Sequence, residues 1–127
     1  MLEFVAEAVA RGDLTAGPLF GLWNEGKLNA RGVYQCAVAG DPVAQKGFAR
    51  MGWALGLALA NLFTALGICH AIIGGGVSAG WDQFIEPLHK SLAEHSSMLN
   101  VADAVIQRSA LGDDAALLGA ARLALGC

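Results

Sequence analysis

Charge is scarce in this sequence. Only 15% of the 127 residues are Asp, Glu, Lys or Arg, and the net charge is -3 at pH 7. A surface that follows a phosphate backbone needs a basic patch, so we expect no nucleic-acid partner. Hydrophobic residues make up 55% of the chain, which excludes a disordered protein. The length suits one domain with its own core, and we expect residues 1–127 to form a single unit.

Cysteines are few and have no pairing motif. Cys36, Cys69 and Cys127 are odd in number and widely spaced, without a C-x-x-C sequence. This usage is typical of a reducing compartment, and we predict a cytoplasmic protein in which Cys69 is a small buried apolar residue. A zinc site is also not expected, because His89 and His95 are six residues apart and would lie on different faces of a helix.

A long uncharged run raises the question of a membrane. No charged residue occurs between Met51 and Trp81, which exceeds the roughly 20 residues of a spanning helix. Gly67 and a later glycine triplet interrupt the run, so it divides into a helix and a strand. The N-terminus has no basic start followed by an apolar stretch, as a signal peptide would. We therefore predict that no segment spans a membrane.

Apolar residues recur at every third or fourth position through the first half of the chain. This spacing predicts a helix through Leu2, Phe4, Val5 and Val9, a short helix after Gly17-Pro18, a helix over Ala30–Ala39 capped by Asn29, and a long helix that begins at Asp41-Pro42 and stops at Gly67. One face of the long helix carries Gly52, Gly56 and Ala60, which predicts a closely packed neighbour on that side.

The centre of the chain reads as a strand, a glycine turn and a helix. Cys69–Ile73 is short and apolar, which predicts a buried strand with His70 as a core residue. After the triplet, an apolar stripe from Trp81 to Leu92 predicts a helix that Pro87 kinks or divides. Ser96–Asn100 is a predicted connection. Ala104–Arg108 is a predicted second strand, followed by a helix to Leu125, so we expect an α/β unit with at least two parallel strands.

The glycine triplet, Gly74-Gly75-Gly76, is the strongest candidate for a functional site. Ligands of open α/β sheets bind outside the carboxyl ends of the strands, which is where this turn lies. Three residues without a Cβ would let a flat ring or a phosphate approach the backbone. A tight turn from strand to helix would explain the glycines equally well, and the residues alone support both interpretations.

Five segments, taken in order, resemble the C-terminal part of the ROK family of repressors, uncharacterised frames and sugar kinases, which includes bacterial glucokinases. They are Ala39–Ala44, Gly56–Leu62, Ile72–Val77, Leu111–Ala115 and Leu118–Ala121. The resemblance extends from about Leu14 to Leu125. It implies the actin-like, ribonuclease-H-like ATPase fold, in which two lobes close over sugar and ATP.

Within that resemblance, Gly74, Gly75 and Gly76, with Val77, match the family's adenosine motif, which implies ATP or ADP as the ligand, with Mg²⁺ in the intact protein. Gly119-Ala120-Ala121 matches a small-residue helix near the hinge between lobes, although close helix packing would explain these residues more simply. The resemblance thus implies that residues 1–127 are a partial domain, the C-terminal lobe of a glucokinase-like protein.

Several family motifs do not occur in the 127 residues. The phosphate loop D-x-G-G-T, the catalytic aspartate, the sugar-contacting E-x-G-H and the zinc motif C-x-C-G-x-x-G-C are all missing. The resemblance therefore implies no catalytic residue, no zinc and no sugar site in this chain, which would bind nucleotide without phosphorylating sugar. Two alternatives are the ligand-binding lobe of a ROK repressor and a small membrane or assembly protein.

The high apolar content also bears on assembly. An isolated domain of this size rarely exposes large apolar patches, so a chain with 55% hydrophobic residues is expected to cover them by self-association. A two-fold interface uses the same patch on both subunits. The N-terminal helix with Leu2, Phe4, Val5 and Val9 is the candidate interface, and we expect a homodimer or a larger assembly.

Overall fold

The computed structural model describes residues 1–96 and 103–126 and is rich in helix. In chain order its elements are α1 (Leu2–Ala10), α2 (Pro18–Asn24), α3 (Ala30–Val38), α4 (Pro42–Leu66), β1 (His70–Ile73), α5 (Trp81–His95), β2 (Val105–Arg108) and α6 (Ala115–Ala124). One-turn 3₁₀ segments occupy Gly76–Gly80 and Gly112–Asp114. Most of the predicted connection Ser96–Asn100, and Cys127, lie outside the described residues.

Capping side chains set the helix boundaries where the sequence predicts them. The Asp41 carboxylate accepts hydrogen bonds from the backbone N–H groups of the second and third residues of α4, both at 2.9 Å, and Pro42 occupies the first helical position. Asn29 accepts one N–H of α3 at 2.8 Å. Gly67 ends α4 with φ of 66°, a left-handed conformation that glycine adopts without strain.

Small residues bring α4 and α5 into close contact. A Cβ atom at Gly52 would collide with the carbonyl oxygen of Phe84, and one at Gly56 would collide with the carbonyl oxygen of Leu88. Gly56 is four residues after Gly52, and Leu88 is four residues after Phe84, so α4 and α5 run in the same direction. The predicted close neighbour on this face of α4 is therefore α5.

The core lies between α4 and the elements around it. Its larger cluster joins α1, α2, α3, α4 and α5 through the buried side chains of Val5, Leu14, Leu19, Val33, Phe48, Phe84 and Leu88. A smaller cluster at the C-terminal half of α4 contains Ala60, Phe63 and Leu92, against which the sheet packs.

Length and composition alone would allow the 25-residue α4 to cross a membrane. In this fold it is contacted by α1, α3 and α5.

The two strands form a parallel sheet, as predicted, with His70 opposite Val105 and Ile73 opposite Arg108. The prediction of a buried strand is wrong. His70 is exposed and Ile72 is 72% exposed, because the described chain packs only against the face that carries Ala71 and Ile73. Cys69 precedes the strand and is half-buried, so it is not the core residue that was expected.

Two further differences concern α5 and α6. Pro87 lies inside a single helix from Trp81 to His95, and the helix is not divided there. The triplet does not lead directly into this helix, because the Gly76–Gly80 turn intervenes. In α6 no side chain is buried among those described, and a Cβ at Gly119 would meet no atom within 4 Å. Close packing against the described residues therefore does not explain Gly119.

Part of the candidate interface on α1 packs against other elements of the same chain. Val5 is completely buried in the core, and the Phe4 ring lies 5.6 Å from the guanidinium carbon of Arg50 on α4. Leu2 remains 42% exposed. Only part of the predicted apolar stripe on α1 is thus free to meet a second chain.

Candidate functional site

Each glycine of the triplet occupies a different structural situation. A Cβ at Gly74 would lie 3.2 Å from the Cβ of Ser109, so glycine lets the loops after β1 and β2 approach closely. Gly75 has φ of 77°, which a residue with a side chain adopts only under strain. Both glycines therefore serve the fold itself.

Gly76 has neither of these constraints. Its φ lies outside the left-handed region, and a Cβ built there would meet no atom of residues 1–96 or 103–126 within 4 Å. Any small residue would fit the folded chain at this position. The space beside Gly76 is therefore open, which suits a ligand that packs against the backbone.

Ser78 closes the turn. Its backbone N–H and its hydroxyl both donate to the carbonyl oxygen of Gly75, at 3.0 and 2.8 Å. The side chain is 2% exposed, so these bonds are shielded from water. The turn is thereby held in one conformation while the triplet and Val77 face outward.

The two loops that follow the strands meet at one edge of the sheet. The Ser109 N–H donates to the Ile73 carbonyl at 2.8 Å, and the Ser109 hydroxyl accepts from the Leu111 N–H at 3.3 Å. The Gly112–Asp114 turn then contacts the Gly76–Gly80 turn. The triplet therefore lies at the carboxyl end of a parallel sheet, as expected for a ligand site in an α/β fold.

A cavity of about 660 Å³ opens beside Gly76 and Val77. This volume falls within the roughly 300–1,000 Å³ of small-molecule sites. One wall is the turn itself. The other walls come from Met1, from α3 and its cap, and from α4, through Asn29, Ala30, Arg31, Tyr34 and Phe48.

The α3 side of this cavity was not predicted from the sequence. The local pattern predicts a capped helix at α3, and nothing in it shows that the first turns of this helix approach residues 76–80. The signal that exists is Gly80, which is buried against the rings of Phe48 and Tyr34 and has ordinary backbone angles. A glycine needed for space indicates a close approach by another element.

Among the titratable groups that the structure describes, one has a shifted pKa, and it lies outside this cavity. Burial raises the pKa of the Cys36 thiol above its ordinary value of 9.0, and the nearby negative charge of Asp41 adds to the effect. Cys36 faces a separate cavity between α2 and α3. A protonated, buried thiol of this kind is a poor nucleophile.

Comparison with known proteins identifies the family. The model of the ROK family matches residues 7–126, nearly the entire chain. This chain belongs to the ROK family. The resemblance stated from the sequence is confirmed, and the matched region includes the triplet and Val77.

Individual relatives are sugar kinases. The chain is 38% identical over 95 residues to a glucokinase from Halalkalibacterium halodurans, an alignment that covers 74% of this chain and 28% of the relative. Its fold matches the crystal structure of a predicted sugar kinase from Cytophaga hutchinsonii, with a TM-score of 0.77 and 28% identity over 96% of this chain and 40% of that one.

A second solved structure carries ligands. The ROK family glucokinase from Streptomyces griseus, in complex with glucose and AMPPNP, matches with a TM-score of 0.77 and 28% identity over 94% of this chain and 39% of that one. These likenesses confirm the sugar-kinase fold class. The chain thus spans roughly a quarter to two fifths of the length of the relatives that it matches.

Proposed function

We propose that this chain is the nucleotide-side, C-terminal lobe of an ATP-dependent sugar kinase of the glucokinase type. Adenosine would pack against Gly76 and Val77 in the cavity beside the turn. The observation that carries the proposal is the open space at Gly76, where no contact within the described residues requires a glycine, in a region that matches the ROK family. The ATP analogue in the Streptomyces griseus relative supports ATP as the nucleotide.

The alternatives have less support. The named relatives are a glucokinase and sugar kinases, which does not favour a ROK repressor. A match to the family model over residues 7–126 also argues against a small membrane or assembly protein. We also propose that the protein is cytoplasmic.

The chain alone is proposed to be inactive on sugar. Phosphoryl transfer requires a metal, a phosphate clamp and a base placed together, and Mg²⁺ bound with ATP neutralises the charge that develops. The family motifs that supply these groups do not occur in the 127 residues. The described residues contribute the adenosine wall, so purified chain should produce no ADP above a blank when given ATP and glucose. Glucose-dependent ADP formation would contradict this part of the proposal.

Nucleotide binding can be tested with a valine at position 76. ADP should bind wild-type chain weakly, with a dissociation constant on the order of 1 mM, because most phosphate contacts are missing. Gly76→Val should abolish binding in an NMR titration, since its side chain fills the open space. Gly75→Val is unsuitable, because φ of 77° makes valine strained there.

Gly119→Val is the matched control. Gly119 also has open space around it and an ordinary φ, but it lies on α6 and does not line the cavity. The control should bind ADP like wild type, and circular dichroism should show both variants folded. If a folded Gly76→Val chain binds ADP with the same affinity as wild type, the nucleotide does not bind beside Gly76.

A further inference from the structure

Two side chains of α3 face the triplet across the cavity. Arg31 and Tyr34 line the same space as Gly76 and Val77, although more than 40 positions separate them in sequence. They are three residues apart on one helix, so they lie on the same face. The cavity therefore has a cationic and aromatic wall on the α3 side, and a wall of glycines and small apolar residues on the side of the turn.

Tyr34 is held in place by three contacts. Its ring meets the Phe48 ring edge to face, with centroids 6.2 Å apart and planes at 76°. Its hydroxyl donates to the Asp82 carboxylate at 3.3 Å. Gly80 provides the room, because a Cβ there would lie 2.7 Å from a Phe48 ring carbon and 3.4 Å from a Tyr34 ring carbon. An aromatic ring fixed this way loses little freedom when a flat ligand packs on it.

Arg31 is not explained by the stability of the fold. Within the described residues the ion pairs are Arg11–Asp13, Lys27–Glu25 and Arg50–Glu7, and Arg31 takes part in none of them. It is the second residue of α3, where the helix dipole disfavours a positive charge. An exposed guanidinium that lines this cavity is suited to an anion, and its planar fork matches the geometry of a phosphate.

We propose that α3 forms the second wall of the nucleotide pocket, with the Tyr34 ring against the base and the Arg31 guanidinium paired with the phosphates. This inference rests on the proposed function, since it assigns further residues to the same site. It predicts a difference between ADP and adenosine that the glycine turn alone does not predict. Arg31 should discriminate ADP from adenosine, whereas Tyr34 should affect both ligands.

The experiment compares ADP with adenosine in NMR titrations of the 127-residue chain. Arg31→Gln should weaken ADP binding about fivefold and leave adenosine unchanged, because an exposed charge pair contributes on the order of 1 kcal/mol. Arg122→Gln, an exposed arginine on α6, is the matched control and should change neither affinity. Raising the salt concentration should reduce the difference between wild type and Arg31→Gln.

Tyr34 is tested by a pair of substitutions. Tyr34→Leu should weaken adenosine and ADP by similar factors, at least about fivefold, since base stacking contributes about 1–3 kcal/mol. Tyr34→Phe keeps the ring and should retain most of the adenosine affinity. Arg31→Gln should not unfold the chain, because it removes an exposed charge that the helix dipole disfavours. A change in its ADP affinity would therefore report on binding.

The outcomes separate the two proposals. If Gly76→Val abolishes ADP binding while Arg31→Gln and Tyr34→Leu bind like wild type, the nucleotide site stands and the α3 wall is wrong. If Arg31→Gln weakens adenosine as much as ADP, the assignment of Arg31 to phosphate is wrong. If wild-type chain binds neither ligand, both proposals fail.

Discussion

The close contact between α4 and α5 makes a quantitative prediction for Gly56→Ala. In the structure a Cβ at this position would collide with the carbonyl oxygen of Leu88 and lie 2.8 Å from the Cβ of Ser91. These atoms belong to α5 itself, so they cannot move aside as the end of a flexible side chain would. The added methyl group must push the two helices apart.

Three contributions set the size of the effect. Overpacking of a well-packed contact costs about 1–3 kcal/mol, and a collision with backbone favours the upper end. Alanine is a better helix former than glycine by about 1 kcal/mol, which offsets part of this loss. The buried Ser91 hydroxyl donates to the Trp53 carbonyl at 2.8 Å across the same contact, and weakening this bond adds up to about 1 kcal/mol. The net expectation is a loss of about 2 kcal/mol.

Urea unfolding followed by circular dichroism measures this change directly. Gly119→Ala is the control, because its Cβ would meet no described atom within 4 Å, so only the helix preference of alanine should act there. The two variants should move in opposite directions, with Gly119→Ala gaining up to about 1 kcal/mol. If Gly56→Ala is as stable as wild type or more stable, the described packing of α4 on α5 is wrong.

Three further predictions concern the cap, a thiol and assembly. Asp41→Ala removes the acceptor of two N–H groups at the start of α4 and should lower the unfolding free energy by about 1 kcal/mol in the same assay. Because the pKa of Cys36 is raised in the fold, its contribution to stability is full below pH 9.0 and is lost as pH rises through the folded-state pKa. Cys36 should accordingly react with iodoacetamide more slowly than the half-buried Cys69, as mass spectrometry of the two peptides would show, and equal rates would contradict its burial. Sedimentation should find a dimer or larger species, and a monomer at micromolar concentration would refute the expected self-association.

Local chemistry was the most predictable part of this fold. Asp41-Pro42 and Asn29 cap helices where expected, because a cap depends on residues a few positions apart. The line of Gly52 and Gly56 predicted a close neighbour, since glycine on one helix face has few other uses. Burial of β1 was mispredicted, because an apolar sequence does not show which faces of a sheet are covered. Ile72 is apolar and 72% exposed.

For the same reason, the sequence predicts only part of the candidate site. The triplet was evident from composition, yet its three glycines differ in conformation and surroundings, and only coordinates distinguish Gly76 from Gly74 and Gly75. Arg31 and Tyr34 were missed because they reach the cavity through tertiary packing of α3. Sequence periodicity records which side of a helix is apolar, and it contains no information on which distant turn that side meets.

Photoaffinity labelling with an azido-adenosine nucleotide tests the central claim most directly. After irradiation of the 127-residue chain, mass spectrometry would locate the label within the sequence. The account predicts modification within residues 30–34 or 76–80, suppressed by excess ADP. Labelling that ADP suppresses but that lies on α1 or α6 would contradict the proposed nucleotide site.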